Sequence, residues 1–268
     1  LVLLMLNWAG SSYSWTSPQI LGLAFTSLVL WIAFAIRLSR VAEPLVSLEV
    51  LSNPIVLSGC FALFLVSAAS IGFTAYLPVY AQAYLGLSPA EAGYALLGFL
   101  MGTVAGATFG GRLTLRIVHV KRICVIGSTK SGLAFIATGL LAAQTSVVVL
   151  EVLLIIVGLG MGVNFPVTTV SVQNGVDQMH LGVATGMMTF LRSLGSALGV
   201  AVLGAIALGY GIPLGAEDRN GVVTHVATAF PFAVLYYAMA AMMLVAALIY
   251  ARMPHKPLRG RTDSHPVE

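Results

Sequence analysis

Charge is what this sequence has least of. Only 8% of its 268 residues are Asp, Glu, Lys or Arg, against about 25% in an average soluble domain. That deficit excludes an ordinary water-soluble globule, whose surface draws heavily on charged side chains. Cysteine is nearly absent. Cys60 and Cys124 both fall inside apolar runs without C-x-x-C spacing, which argues against a disulfide framework or a thiolate metal site. His119, His180, His225, His255 and His265 are scattered over connections and tail with no ligand spacing. The sequence also lacks a glycine-rich phosphate loop after a strand, a nucleophile elbow and an H-E-x-x-H pair. Nothing therefore points to ATP hydrolysis or to an enzyme, and no metal or cofactor is expected.

What the chain does have is apolar length. Hydrophobic residues make up 59% of it, and the mean hydropathy is +0.97. An apolar stub covers 1–6, and full spans follow at about 19–37, 54–80, 89–112, 122–142, 147–172, 181–209 and 229–251. Each is long enough to cross a hydrocarbon core of ~30 Å with some tilt. The expected class is all-α, a polytopic membrane bundle, with lipid as its main partner. The opening LVLLML carries neither Met nor a basic leader. It is expected to be the end of a membrane helix, and the chain a fragment of a longer protein.

The ends of the spans carry helix signals. Ser17-Pro18 and Asn53-Pro54 place an N-cap before a proline at the first helical position. Ser88-Pro89-Ala90-Glu91 has the spacing of a capping box, so Glu91 reads as a cap.

The formal net charge of +4 raises the question of nucleic acid. The basic residues answer it, because they sit in short connections between apolar runs. Alternate connections carry ten of the thirteen Lys and Arg residues, Arg37, Arg40, Arg112, Arg116, Lys121 and Arg122 among them, while the opposite connections carry only Arg219. That asymmetry predicts a cytoplasmic basic side and a cytoplasmic tail at 252–268, not a nucleic-acid-binding face. Lys130 and Arg192 lie within spans; Lys130 is expected to snorkel toward the cytoplasmic interface.

Glycine is patterned. Gly93, Gly102, Gly106 and Gly111 recur at a constant offset as Gly186, Gly195, Gly199 and Gly204, on spans that cross in opposite directions. An inverted repeat of three helices predicts this, although close packing by small residues alone could also produce it. Gly102, Gly106 and Gly110 form one small-residue ridge, Gly158 and Gly162 a second, and Gly195 and Gly199 a third. Such ridges let helix backbones approach where lipid supplies no hydrophobic drive.

Three stretches carry a family resemblance. "YLPVYAQAYLGLSPAEAGYALLGFLMGTVAGATFGGRL" (76–113), "GVATGMMTFLRSLGSALGVAVLGAI" (182–206) and "NWAGSSYSWTSPQI" (7–20) resemble, in order, parts of fourteen-helix drug:proton antiporters of the major facilitator superfamily. The resemblance implies that 54–251 is the six-helix C-terminal half. Residues 1–53 would be two extra central helices, the first truncated, and 252–268 a cytoplasmic tail. It also implies a missing N-terminal half as partner, and protons and small hydrophobic or cationic molecules as cargo. The loop GRLTLRIVHVKR departs from the family motif, with Leu115 and Val118 where an acid and a glycine are expected. Gly111, Leu113 and Arg116 fit, but the departure argues against a gating role, and the loop reads as a positive-inside anchor.

Several polar residues lie within the apolar spans. Thr185, Thr189, Arg192 and Ser196 share one helix face, with Arg192 near mid-membrane. Two readings stand: contact with substrate or with an acid of the other half, or an arginine satisfied locally by carbonyls and hydroxyls. Asn164, Thr168 and Ser171 form a second stripe, with Pro166 interrupting the backbone ladder. Ser67, Ser70 and Thr74 form a third, extended by Tyr76, Tyr80 and Gln82. The resemblance makes these stripes walls of a central cavity; ordinary interhelical hydrogen bonding is the alternative for each residue. Glu151 reads as a first-turn helix acid, or as a proton carrier if burial raises its pKa. The expected function is proton-coupled efflux by rocking of two halves. The alternative is a non-transporting membrane module, inert or needing a partner chain.

Overall fold

The structure is a computed structural model that describes residues 16–40, 50, 52–116, 120–143, 147–212 and 228–254. Seven long helices occupy the expected spans: α1 (Pro18–Arg40), α2 (Pro54–Ala83), α3 (Pro89–Arg116), α4 (Val120–Leu141), α5 (Val147–Gly175), α6 (Leu181–Gly209) and α7 (Phe230–Arg252). Six of them, α2 to α7, are long and apolar enough to cross a membrane. The stub 1–6 and the tail 255–268 lie outside the described residues.

The caps form as the sequence predicts. Asn53 Oδ1 accepts from the Ile55 N–H at 2.9 Å, and its Nδ2 donates to the Gly175 carbonyl at 2.9 Å, tying the start of α2 to the end of α5. Ser88 and Glu91 close their box: the Ser88 N–H donates to Glu91 Oε2 at 2.8 Å and the Glu91 N–H to Ser88 Oγ at 3.3 Å. Between α2 and α3 the chain turns at Gly86, whose φ of 67° favours glycine.

The helix pairs obey the inverted repeat. The main contacts are α3 with α5, α6 with α2, α4 with α7, α4 with α5, and α2 with α7. Exchanging α2-α3-α4 for α5-α6-α7 maps this set onto itself, as two antiparallel three-helix units require. The glycines show how each unit meets the other. A Cβ on Gly102 would lie 2.5 Å from the Ile155 carbonyl oxygen, and one on Gly106 would lie 3.0 Å from the Leu159 Cα. In the second unit, Gly195 would meet the Phe64 Cα at 2.9 Å and Gly199 the Ala68 carbonyl carbon at 2.7 Å. Each contact is backbone to backbone, so no side chain can yield.

The two middle pairs of aligned glycines make this contact. A side chain at Gly93, Gly111 or Gly186 would meet nothing within 4 Å. One turn beyond the shared pair, the small residue changes helix. Gly110 on α3 faces the Val163 backbone, its would-be Cβ 3.0 Å from the Val163 Cα, whereas on the other side Leu203 of α6 packs into Gly72 of α2. Gly158 and Gly162 of α5 rest on Thr103 of α3, completing the seam.

Two different interiors hold the bundle. Toward the end remote from the basic connections, Phe73, Phe99, Phe135, Tyr80, Phe232 and Tyr236 form an aromatic cluster with edge-on contacts, including Phe73–Phe99 at 4.9 Å and Tyr80–Phe232 at 5.2 Å. Toward the basic end, α4, α5 and α7 are joined by a polar seam. Thr168 Oγ1 and Tyr250 Oη share a hydrogen bond of 2.6 Å, and Ser128 Oγ donates to Asn164 Oδ1 at 3.1 Å. Helix α1 stands apart, with only Ile20 and Ser27 buried on the described part of its surface.

Candidate functional site

The open polar face belongs to α6. This helix has the least buried apolar window of the six spans, because its glycine ridge covers only the side toward α2. On the other side Thr189 and Arg192 are exposed. The Arg192 guanidinium carbon lies 5.9 Å from the centroid of the Phe165 ring on α5, within the ~6 Å reach of a cation–π contact. Ser196 Oγ donates to the Arg192 carbonyl at 3.0 Å, an intrahelical bond that leaves the guanidinium itself untouched. Among the described residues no carboxylate pairs with Arg192. Two helix turns toward the basic end, Gln173 Nε2 donates to Thr185 Oγ1 at 3.4 Å, bridging α5 and α6.

The second stripe faces the interior of the bundle. Asn164 and Thr168 are fully buried and face α4 and α7 within the polar seam, and Ser171 is also buried. The half-buried residues of α5 on the α6 side are Phe165, Thr169 and Gln173, about 100° around the helix from the expected set. Nor does Pro166 break the helix: α5 runs continuously through it. The polar seam is thus a packing device. Thr168→Val strands the Tyr250 hydroxyl, and the expected cost is ~0.6–2 kcal/mol, read as a lowered detergent melting temperature.

The third stripe divides. Tyr76 Oη donates to the Val200 carbonyl at 2.9 Å and pins α2 to α6, while Tyr80 Oη donates to the Ala142 carbonyl at 2.9 Å and caps α4. Both phenols are committed to structure. Thr74 Oγ1 bonds back to the Ser70 carbonyl at 2.9 Å, and Gln82 Nε2 donates to the Pro78 carbonyl at 3.3 Å. Ser67 differs, since its buried Oγ has no hydrogen-bond partner. Of this stripe, Ser67 alone holds an unsatisfied polar atom inside the bundle.

Glu151 lies far from the α6 face. Its half-buried carboxylate packs over Gly98 of α3, on the first turns of α5 and at the end remote from the basic connections. Among the described residues no three His, Cys, Asp or Glu side chains converge as a metal site would need.

The sequence comparisons agree with this architecture. The model for the Major Facilitator Superfamily matches residues 2–200. The chain belongs to that superfamily, a family of transporters. Its similarity extends to the multidrug transporter protein MdtP of Bacillus subtilis, 29% identical over 205 residues that make up 76% of this chain and 38% of the relative. Multidrug resistance protein 3 of the same organism is 28% identical over 201 residues, 75% of this chain and 39% of that protein. A tetracycline resistance determinant of Streptomyces rimosus is 26% identical over 212 residues, 77% of this chain and 61% of its own length. The chain thus spans about two fifths of the two Bacillus relatives it matches.

Proposed function

We propose that this chain is the C-terminal portion of a proton-coupled efflux transporter for small hydrophobic or cationic compounds. On this reading 54–251 forms the six-helix C-terminal half, 1–53 the extra central helices and 252–268 a tail. The basic end of the bundle faces the cytoplasm, and the protein resides in the cell membrane. The carrying observation is Arg192, exposed on the open α6 face over Phe165 with no carboxylate partner among the described residues.

An arginine so placed costs ~2.5–3.5 kcal/mol in a lipid setting, so the face calls for covering by protein or water. A fixed cation repels a cationic compound but attracts a carboxylate. Arg192 is therefore assigned to a closing contact with an acid of the N-terminal half. Phe165 and Thr189 are left to meet the transported compound. The relatives' printed names, a multidrug transporter and a tetracycline resistance determinant, support the choice of cargo.

The test is dye efflux from cells producing this chain together with an N-terminal half, with and without a protonophore. Proton-dependent efflux supports the reading; its absence despite correct membrane insertion overturns it. Cells producing this chain alone address the other reading, a non-transporting module: proton-dependent efflux from them would overturn it. Glu151→Gln in the complete system measures that residue's part. If Glu151 carries the proton, efflux loses its pH dependence. Glu151 lies one residue past the first turn of α5, not within it as expected from the sequence; if it is a structural acid packed on Gly98, the pH profile is unchanged, and this second outcome is the one expected.

A further inference from the structure

A groove of about 620 Å³ opens on the outer surface of the bundle where α3, α4 and α5 meet. It is separate from the α6 face. Its walls include Phe109, Ile126 and Leu159, and two of these, Phe109 and Ile126, are 64% and 55% exposed. The floor is low because Gly127 of α4 and Gly160 of α5 touch backbone to backbone. Such a trough is shaped for an extended apolar chain.

Its two charged lining residues are both cations. Arg122 and Lys130 line the groove from α4. They are eight positions apart with Ile126 midway, so all three share one helix face and the two cations are separated by ~12 Å along the axis. No acid occurs anywhere from residue 92 to residue 150, and Glu151 is committed to Gly98 on the far side of the trough. Lys121 is already occupied, its Nζ donating to the Met253 carbonyl at 3.0 Å at the end of α7. Arg122 and Lys130 have no carboxylate partner among the described residues. A lysine more than two turns inside its helix without a counter-charge is costly, and its stem reaches back toward the helix end.

We propose that this groove is a binding site for one anionic phospholipid of the leaflet at the basic end. An acyl chain lies in the trough, and the phosphate sits between Arg122 and the returning Lys130 ammonium. The two cations without acids disfavour a cationic compound. A zwitterionic lipid brings its own cation and gains less from the pair. A free phosphate leaves the trough empty. The site depends on the chain spanning a membrane, and not on what the chain transports.

The experiment is native mass spectrometry of the delipidated full chain, titrated with phosphatidylglycerol, phosphatidylcholine or glycerol phosphate. One phosphatidylglycerol is expected to bind at least tenfold more tightly than phosphatidylcholine. Arg122→Gln with Lys130→Gln removes that preference. Ile126→Trp, which fills the trough, weakens both lipids, whereas Arg252→Gln, on another helix, leaves the preference intact. Glycerol phosphate does not compete at the lipid's concentration. Equal binding of the two lipids, retention of the preference in the double variant, or its loss in Arg252→Gln overturns the site. Competition by glycerol phosphate reassigns it to a free phosphate, and a dimer blocked by Ile126→Trp would make it an interface. Circular dichroism confirms that each variant keeps its helices.

Discussion

Gly106→Leu is expected to abolish recovery of a folded monodisperse protein, while Gly93→Leu and Gly186→Leu, aligned with each other in the same glycine pattern, are expected to be silent. The difference is geometric. A side chain at Gly106 is driven into the Leu159 backbone, whereas one at Gly93 or Gly186 meets nothing within 4 Å. Overpacking that a side chain can absorb costs ~1–3 kcal/mol. Two helix backbones cannot absorb it without separating, and the loss belongs with the exceptional substitutions above ~4 kcal/mol. Gly199→Leu should fail in the same way against Ala68.

The small residue that changes helix allows a rescue. Gly72→Val collides with Leu203, so the single variant is expected to lose stability. Adding Leu203→Gly recreates the arrangement that the other unit already uses, with glycine on the crossing helix and valine on its partner, as at Gly110 and Val163. The double variant is therefore expected to melt above Gly72→Val alone. Size-exclusion profiles and melting curves in detergent check both. Purely additive losses would contradict a seam built twice from one plan.

The second large effect concerns Arg192. Arg192→Ala is expected to lower transport by about a hundredfold with normal expression. Removing one partner of a desolvated charge pair costs about 3 kcal/mol or more, which is about two orders of magnitude when the pair forms during the rate-determining motion. Expression should survive, because the side chain is exposed on its own half and its one described contact there is Phe165, 5.9 Å away. Arg192→Lys keeps the charge and is expected to recover part of the rate. Phe165→Leu removes only the ring and should cost less. Normal transport in Arg192→Ala would remove the assigned closing contact and leave the arginine a local structural feature.

Much of the fold was legible because lipid dictates it. A span must be apolar over about 20 residues, so seven helices could be bounded by composition, and Asn53 and Ser88-Glu91 marked where two of them begin. The offset glycines pointed to the repeat, yet the sequence could not tell Gly102 and Gly106, which touch a partner backbone, from Gly93 and Gly111, which do not. That distinction needs the crossing point of two helices.

The phase of α5 was the harder problem. Its apolar residues surround the helix, so no stripe stands out, and both 164-168 and 165-169 fit a helical period. Polarity favoured Asn164 and Thr168, which serve the seam, while the aromatic beside Arg192 is Phe165, a residue that alone signals nothing. Lys130 was recognisable as an anomaly in its span. The groove around it was not, because its walls come from three helices and lie between residues 106 and 163.

The threading of the chain is the premise beneath both the α6 face and the lipid groove, and accessibility labelling tests it directly. In a background where Cys60 and Cys124 are replaced, single cysteines at Arg112, Arg252 and Ala143 are exposed to a membrane-impermeant maleimide in intact cells. The account predicts that Ala143 is labelled from outside while Arg112 and Arg252 react only after the membrane is opened. Labelling of Arg112 and Arg252 from opposite faces would contradict it.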